Sequence, residues 1–145
     1  MNENDALYDE LGAVALDLAH HLRRDAQRAV EGMGVTQMQA YGIMLLADGH
    51  TQPSALAEAM GTSPPVLSQI LAGLEERGFI TRHPDPEDRR RVRLELTESG
   101  REFHAQMQAH WRVASAPRFQ QLSPQEVQTL IRLYRKMLQP PVVRP

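Results

Sequence analysis

Residues 62–100 read TSPPVLSQILAGLEERGFITRHPDPEDRRRVRLELTESG, and this stretch decides the fold. Val66, Leu67, Ile70, Leu71 and Leu74 recur at helical spacing and form a packing face, while Pro65, Ser68, Gln69 and Ala72 fall on the opposite face. Gly78 stops the helix. Residues 79–82 and 92–96 then read as two short strands, joined by a loop rich in turn residues and arginine. Helix, strand, charged tip and strand in that order predict a winged helix.

Upstream, Leu7, Leu11, Val14, Leu18 and Leu22 make a stripe at spacings of three and four, predicting a first helix over about residues 5–31. A helix of that length outruns what one small winged domain can cover, so part of its stripe is expected to pack on a partner subunit; the alternative is an intramolecular hairpin with the C-terminus. Gly32 and Gly34 break the pattern. Thr36 caps a second helix through Ala47 that carries Met38, Tyr41, Ile43, Met44, Leu45 and Leu46 and is expected to be mostly buried. Asp48-Gly49-His50 is a turn, and Pro53 opens a short third helix over 54–60 that Gly61 ends. Thr62 and Ser63 cap the fourth, over 63–77, so the third and fourth form a helix-turn-helix.

Downstream, Thr97 and Glu98 signal a fifth helix with Phe103, Met107, Trp111 and Ala114 at helical spacing, which Pro117 is expected to kink or end. Ser123-Pro124-Gln125-Glu126 is a capping box opening a sixth helix, whose apolar side is Val127, Leu130, Ile131, Tyr134, Met137 and Leu138. Pro140-Pro141 closes it and leaves a short disordered tail. The fold class is mainly α with a small antiparallel β wing. One domain is expected over 1–145, with a winged helix-turn-helix lobe at about 36–97 and a helical dimerisation region at about 5–31 and 98–139.

The 145 residues are 41% hydrophobic and 23% charged, in the ordinary globular range. No apolar run reaches the roughly 18 residues a bilayer span needs, and the first residues lack the basic and apolar regions of a signal peptide, so a cytoplasmic protein with no membrane partner is expected. With no cysteine there can be no disulfide, thiolate metal site or thiol switch. The net charge of −2 argues against a generally basic polyanion binder. Local charge is another matter, because four arginines and no acid lie between Arg89 and Arg93.

Taken together, residues 74–82 (LEERGFITR), 85–90 (DPEDRR) and 96–100 (LTESG) resemble the MarR family of bacterial transcription regulators, and the element order matches over nearly the whole chain. The resemblance implies a homodimer in which the first, fifth and sixth helices interlock and two winged lobes grip a pseudo-palindromic double-stranded DNA operator. It also implies a ligand-responsive repressor, since small anionic or phenolic effectors commonly occupy a cleft between the dimer helices and the winged lobe in this family. No cofactor is expected.

Ser68 and Gln69, on the polar face of the fourth helix, are the candidates for base-edge contact, because a glutamine can pair bidentately with adenine. Relatives often carry arginine where Gln69 stands, which suggests a changed base preference. Pro65 contributes shape. Thr62 and Ser63, with the free N–H groups of the helix start, suit a phosphate oxygen. Arg89, Arg90 and Arg91 suit phosphate and minor-groove contact, and Arg90 matches the family's wing arginine. Asp88 looks like the family's partner acid and is expected to brace the wing through an arginine such as Arg77 or Arg90. For the effector, Ala40 and Gly42 stand where relatives often place larger groups, which could open space beside Met38, Met44, Phe103, Met107 and Trp111; the same residues also read as plain core.

The six histidines raise a metal-responsive alternative, but His20 and His21 point about 100° apart on a helix, and His104 and His110 are six residues apart, so no metal site is expected. A winged-helix protein-interaction module, with the wing arginines binding an acidic partner, is the other alternative. No nucleophile with a base, phosphate-cradling glycine loop or clustered carboxylates point to an enzyme.

Overall fold

The computed structural model describes residues 3–139, so the expected tail after Pro140 lies outside the described residues. Six helices and two strands follow in the order α1 Glu3–Val30, α2 Gln37–Ala47, α3 Pro53–Met60, α4 Pro64–Glu76, β1 Ile80–Pro84, β2 Val92–Leu96, α5 Glu98–Phe119 and α6 Pro124–Met137. They fall into two compact units, one ending at Ala114 and the other beginning at Ser115, within α5.

Local chemistry explains the boundaries in the first unit. The Thr36 hydroxyl accepts from the Gln39 amide (3.1 Å) and the Gln39 side chain accepts from the Thr36 amide (3.0 Å), a reciprocal cap that starts α2. Prolines occupy the opening turns of α3 and α4, where a missing N–H costs nothing. Gly61 ends α3 in the left-handed conformation, which makes the tight turn into α4. Ser63 occupies the N-cap position of α4, yet its side chain makes no capping hydrogen bond.

The core is built by Ile43, Leu45 and Leu46 of α2, Leu56 and Met60 of α3, and Leu67, Ile70, Leu71 and Leu74 of α4, closed by Phe79, Ile80, Leu94 and Phe103. Val66 departs from its expected place in this face and is exposed. It sits at the angular edge of the apolar stripe, about 100° from Leu67. Met38, Tyr41 and Met44 are likewise exposed in the chain, so α2 is buried through Ala40, Gly42, Ile43, Leu45 and Leu46 instead.

β1 and β2 pair antiparallel with Ile80 opposite Leu96 and Pro84 opposite Val92. β1 starts one residue later and runs two residues further than the sequence suggests. The Leu94 amide also donates to the Thr51 carbonyl (2.7 Å), which fastens the hairpin to the entry of α3. Phe79 stacks on Phe103 of α5 with ring centroids 4.4 Å apart.

α5 passes through Pro117 and ends two residues later, at Phe119. Proline at this position leaves the Val113 carbonyl without its usual N–H donor, yet the helix does not end there and closes within one further turn. In the second unit, Ser123 and Glu126 form the expected capping box, with the Glu126 carboxylate accepting from the Ser123 amide (2.7 Å). None of the residues of α6 is buried. No helix among the described residues is long and apolar enough to cross a membrane.

Candidate nucleic-acid interface

The first unit presents two features side by side: the exposed face of α4 and the wing. Pro65, Ser68, Gln69 and Ala72 are all exposed, as the spacing predicts, because the four buried residues of α4 occupy the opposite side. Ser68 and Gln69 therefore have their polar groups available to a groove. The helix start is poorer in donors than expected. Pro64 and Pro65 have no N–H, and the Thr62 amide already donates to Ala57 O (3.0 Å).

The wing tip is a hydrogen-bonded loop. The Asp85 amide donates to Arg91 O (2.9 Å), the Arg91 amide donates to Asp88 O (2.9 Å), and Asp88 Oδ1 accepts from the Arg90 amide (3.0 Å). Asp88 Oδ2 lies 3.5 Å from Arg91 Nε. Asp88 thus braces the tip through backbone N–H groups and Arg91. Arg89 and Arg90 are exposed, and their guanidinium groups form no ion pair among the described residues. A loop fixed in this way has less ordering entropy to lose when its cations meet phosphates.

Arg77 does not belong to the wing. Its guanidinium donates to the Gly34 carbonyl and lies 5.4 Å from the centroid of the Phe79 ring. Arg77 is at the root of β1, and four residues of strand carry the chain about 13 Å away before the tip begins, beyond the reach of its side chain. Its work is to tie the end of α4 to the loop between α1 and α2. The strand itself is tied to α4 by an ion pair between Arg82 and Glu75.

Asp85 is the wing residue that sequence reasoning missed. It is buried at the root of the tip, where Oδ1 accepts from the Glu87 amide (2.8 Å) and Oδ2 accepts from Gln52 Nε2 at the start of α3 (3.2 Å). The Glu87 amide, then those of Asp88 and the Gln52 side chain, and the nearby Arg93 charge hold its carboxyl below the usual aspartate range, against an opposing push from burial. The signal was present: Asp before Pro, with a hydrogen bond to the amide two residues on, is an Asx-turn.

Because the folded-state pKa of Asp85 is lowered, its contribution is fully present above the ordinary aspartate pKa and is lost as pH falls through the lowered value. The Asp85 contribution to the wing is thus constant near neutrality. Asp85→Asn, which imitates the protonated side chain, is expected to weaken duplex DNA binding about fivefold, since a charged acceptor is replaced by a neutral one. Its far-UV circular dichroism should match that of the parent. An unchanged dissociation constant by fluorescence anisotropy would show that the wing holds its shape without this charge.

The expected effector residues take different places in the chain. Gly42 faces α4, where an added Cβ would lie 3.7 Å from Leu74 Cδ1 and 3.8 Å from Ile70 Cγ2. Ala40 points about 160° away from it around the helix, so the two face different sides of α2. Phe103 is buried in the core, Met107 packs against it, Trp111 is half-buried, and Met38 and Met44 are exposed. Two clefts among the described residues are one of about 720 Å³ lined by Arg24, Gln27, Arg28, Gly34, Val35 and Gln37 among others, and one of about 570 Å³ along α6.

Among the described residues no three histidine, aspartate or glutamate side chains come together to hold a metal ion. The histidines have separate partners: His50 Nδ1 is 3.2 Å from Leu45 O, His110 Nδ1 is 3.1 Å from Ala29 O, and His83 Nε2 is 2.8 Å from Thr81 Oγ1.

An exposed helix preceded by a tight turn and followed by an arginine-tipped hairpin defines a winged helix-turn-helix DNA-binding regulator. Residues 33–91 match the family model described as MarR family. The chain is 34% identical over 105 residues to an uncharacterised HTH-type transcriptional regulator of Mycobacterium leprae, covering 71% of each. It is 36% identical over 81 residues to the transcriptional repressor MprA of Escherichia coli, covering 55% of this chain but only 46% of the repressor. The crystal structure of CouR from Rhodococcus jostii, bound to p-coumaroyl-CoA, superposes with a TM-score of 0.77 at 22% identity, covering 95% of this chain and 98% of that one. The chain belongs to the MarR family of transcription regulators.

Proposed function

We propose that the chain is a homodimeric, ligand-responsive repressor that binds a pseudo-palindromic duplex operator in the cytoplasm. The observation that carries this reading is the pairing, on one lobe, of an exposed α4 face bearing Ser68 and Gln69 with a braced wing bearing unpaired Arg89 and Arg90. Ser68 and Gln69 read base edges, Ser63 approaches a phosphate, and Arg89, Arg90 and Arg91 follow the backbone into the adjacent minor groove. Selection of bound duplexes from a random pool tests it. The expected product is an inverted repeat with half-sites about 10 base pairs apart, centre to centre, or a multiple of that spacing. A pool that never enriches, or one that enriches without symmetry, would overturn the proposal.

Arg90→Ala sorts phosphate from base contact. It is expected to weaken binding to all duplexes alike and to reduce the slope of log affinity against log salt by about 1 per protomer. A loss confined to one operator sequence would mean that Arg90 reads a base.

For the regulatory half, a small anionic or phenolic effector that favours the spacing of the two lobes unable to span the operator would release DNA by its differential affinity. Support comes from the CoA thioester bound by CouR. Titration of hydroxylated aromatic acids and their CoA thioesters against the operator complex should displace DNA with at least one of them. If none does, the ligand-responsive part falls while DNA binding stands.

A further inference from the structure

The start of α4 offers a groove something other than hydrogen bonds. Two successive prolines supply no N–H, and the first-turn amide of Leu67 is already donated to Ser63 O (2.9 Å). Beyond the exposed Ser63 side chain at the N-cap, what the first turn presents outward is hydrocarbon: the rings of Pro64 and Pro65 and the isopropyl group of Val66, three exposed apolar residues in a row. Val66 is 45% exposed, whereas Leu67, Ile70, Leu71 and Leu74 of the same helix are at most 8% exposed. It is therefore no part of the core. It stands one turn before Gln69 on the same flank of α4, so a base contacted by Gln69 has a neighbour within reach of Val66.

The one apolar group on the base edges of the major groove is the thymine 5-methyl. We propose that Val66, flanked by Pro65, is a specificity-determining residue that packs against a thymine methyl in each operator half-site. The inference rests on the proposed insertion of α4 into the major groove. It predicts a half-site in which the step read by hydrogen bonds from Gln69 adjoins a thymine recognised by contact alone.

Replacing each thymine of the selected operator by deoxyuridine removes the methyl and leaves every hydrogen-bonding group in place. At one thymine per half-site the parent protein should lose about fourfold in affinity, and about fifteenfold when both half-sites are changed, the value of one buried methyl each. Val66→Ala should lose a similar amount on the thymine operator and show no further loss with deoxyuridine there. Because Val66 is exposed, the variant should melt with the parent, so weaker binding will not reflect unfolding. Equal tolerance of deoxyuridine at every position by the parent overturns the methyl contact, and so does undiminished deoxyuridine sensitivity in Val66→Ala. Failure of the parent to bind any selected duplex overturns the underlying DNA-reading proposal instead.

Discussion

Leu11→Glu is expected to give a folded monomer whose operator affinity falls by about a hundred- to ten-thousandfold, the advantage lost when two linked binding events become one. The expectation starts from α1, a 28-residue helix whose stripe leaves Leu7, Leu11 and Val14 between 52% and 61% exposed in the chain. Each such side chain gains about 1.5–3 kcal/mol on burial, and a continuous apolar face of this kind on a monomer marks an interaction surface. A carboxylate in its centre must be desolvated without a partner cation, which a twofold interface doubles by symmetry. Within one chain the same substitution is benign, since Leu11 touches solvent and glutamate is a good helix former. Far-UV circular dichroism should stay constant while sedimentation velocity shows half the mass, and half-site DNA should still bind weakly with a steep salt dependence. A variant that remains dimeric and binds the full operator normally would show that α1 does not form the interface. α6, taken by itself, has the same character, with Ile131, Leu133, Tyr134 and Met137 exposed and no residue buried.

What could be read from the sequence was what local rules control. Gly61 and Gly78 take the positive φ values of 60° and 73° that their place after helices requires, and the prolines fall in first turns. The four-residue periodicity of Leu67, Ile70, Leu71 and Leu74 identified both the buried face of α4 and, by subtraction, the exposed Ser68 and Gln69. Where a residue lay at the edge of a stripe, periodicity could not place it, and Val66 turned outward. Partners distant along the chain were equally hidden. Asp85 meets Gln52 across 33 residues and Arg77 meets Gly34 across 43, and although the Asx-turn marks Asp85 locally, neither distant partner has a local signature. Residues 40 and 42 of any α-helix diverge by about 160°, so Ala40 and Gly42 face different sides of α2.

Gly100→Ala carries the largest expected loss of stability, and its sign opposes helix propensity. Gly100 is the third residue of α5, where alanine would ordinarily gain about 1 kcal/mol. Here an added Cβ would overlap the Phe79 carbonyl oxygen and lie 3.3 Å from Leu96 Cδ2. The crowding comes from the way α5 begins. Thr97 donates its hydroxyl to Gly78 O (2.6 Å), its amide donates to Phe79 O (3.0 Å), and its Oγ1 accepts from the Gly100 amide (3.0 Å). These bonds draw the first turn of α5 onto the junction of α4 and β1 and set Phe103 against Phe79. A methyl group at Gly100 must push that turn away, straining those hydrogen bonds and the ring stack together. The cost of such overpacking, net of propensity, is about 2–3 kcal/mol, or a melting point lower by roughly 5–10 °C, measured at one fixed protein concentration because the proposed dimer would make it concentration-dependent. Gly12→Ala supplies the control of opposite sign. Gly12 lies in α1 with no atom within 4 Å of an added Cβ, so its substitution should raise the melting point. A Gly100→Ala protein that melts at or above the parent would mean that the α5 start can retreat from Phe79 freely, and that the wing root is not fastened to α5 as the hydrogen bonds of Thr97 imply.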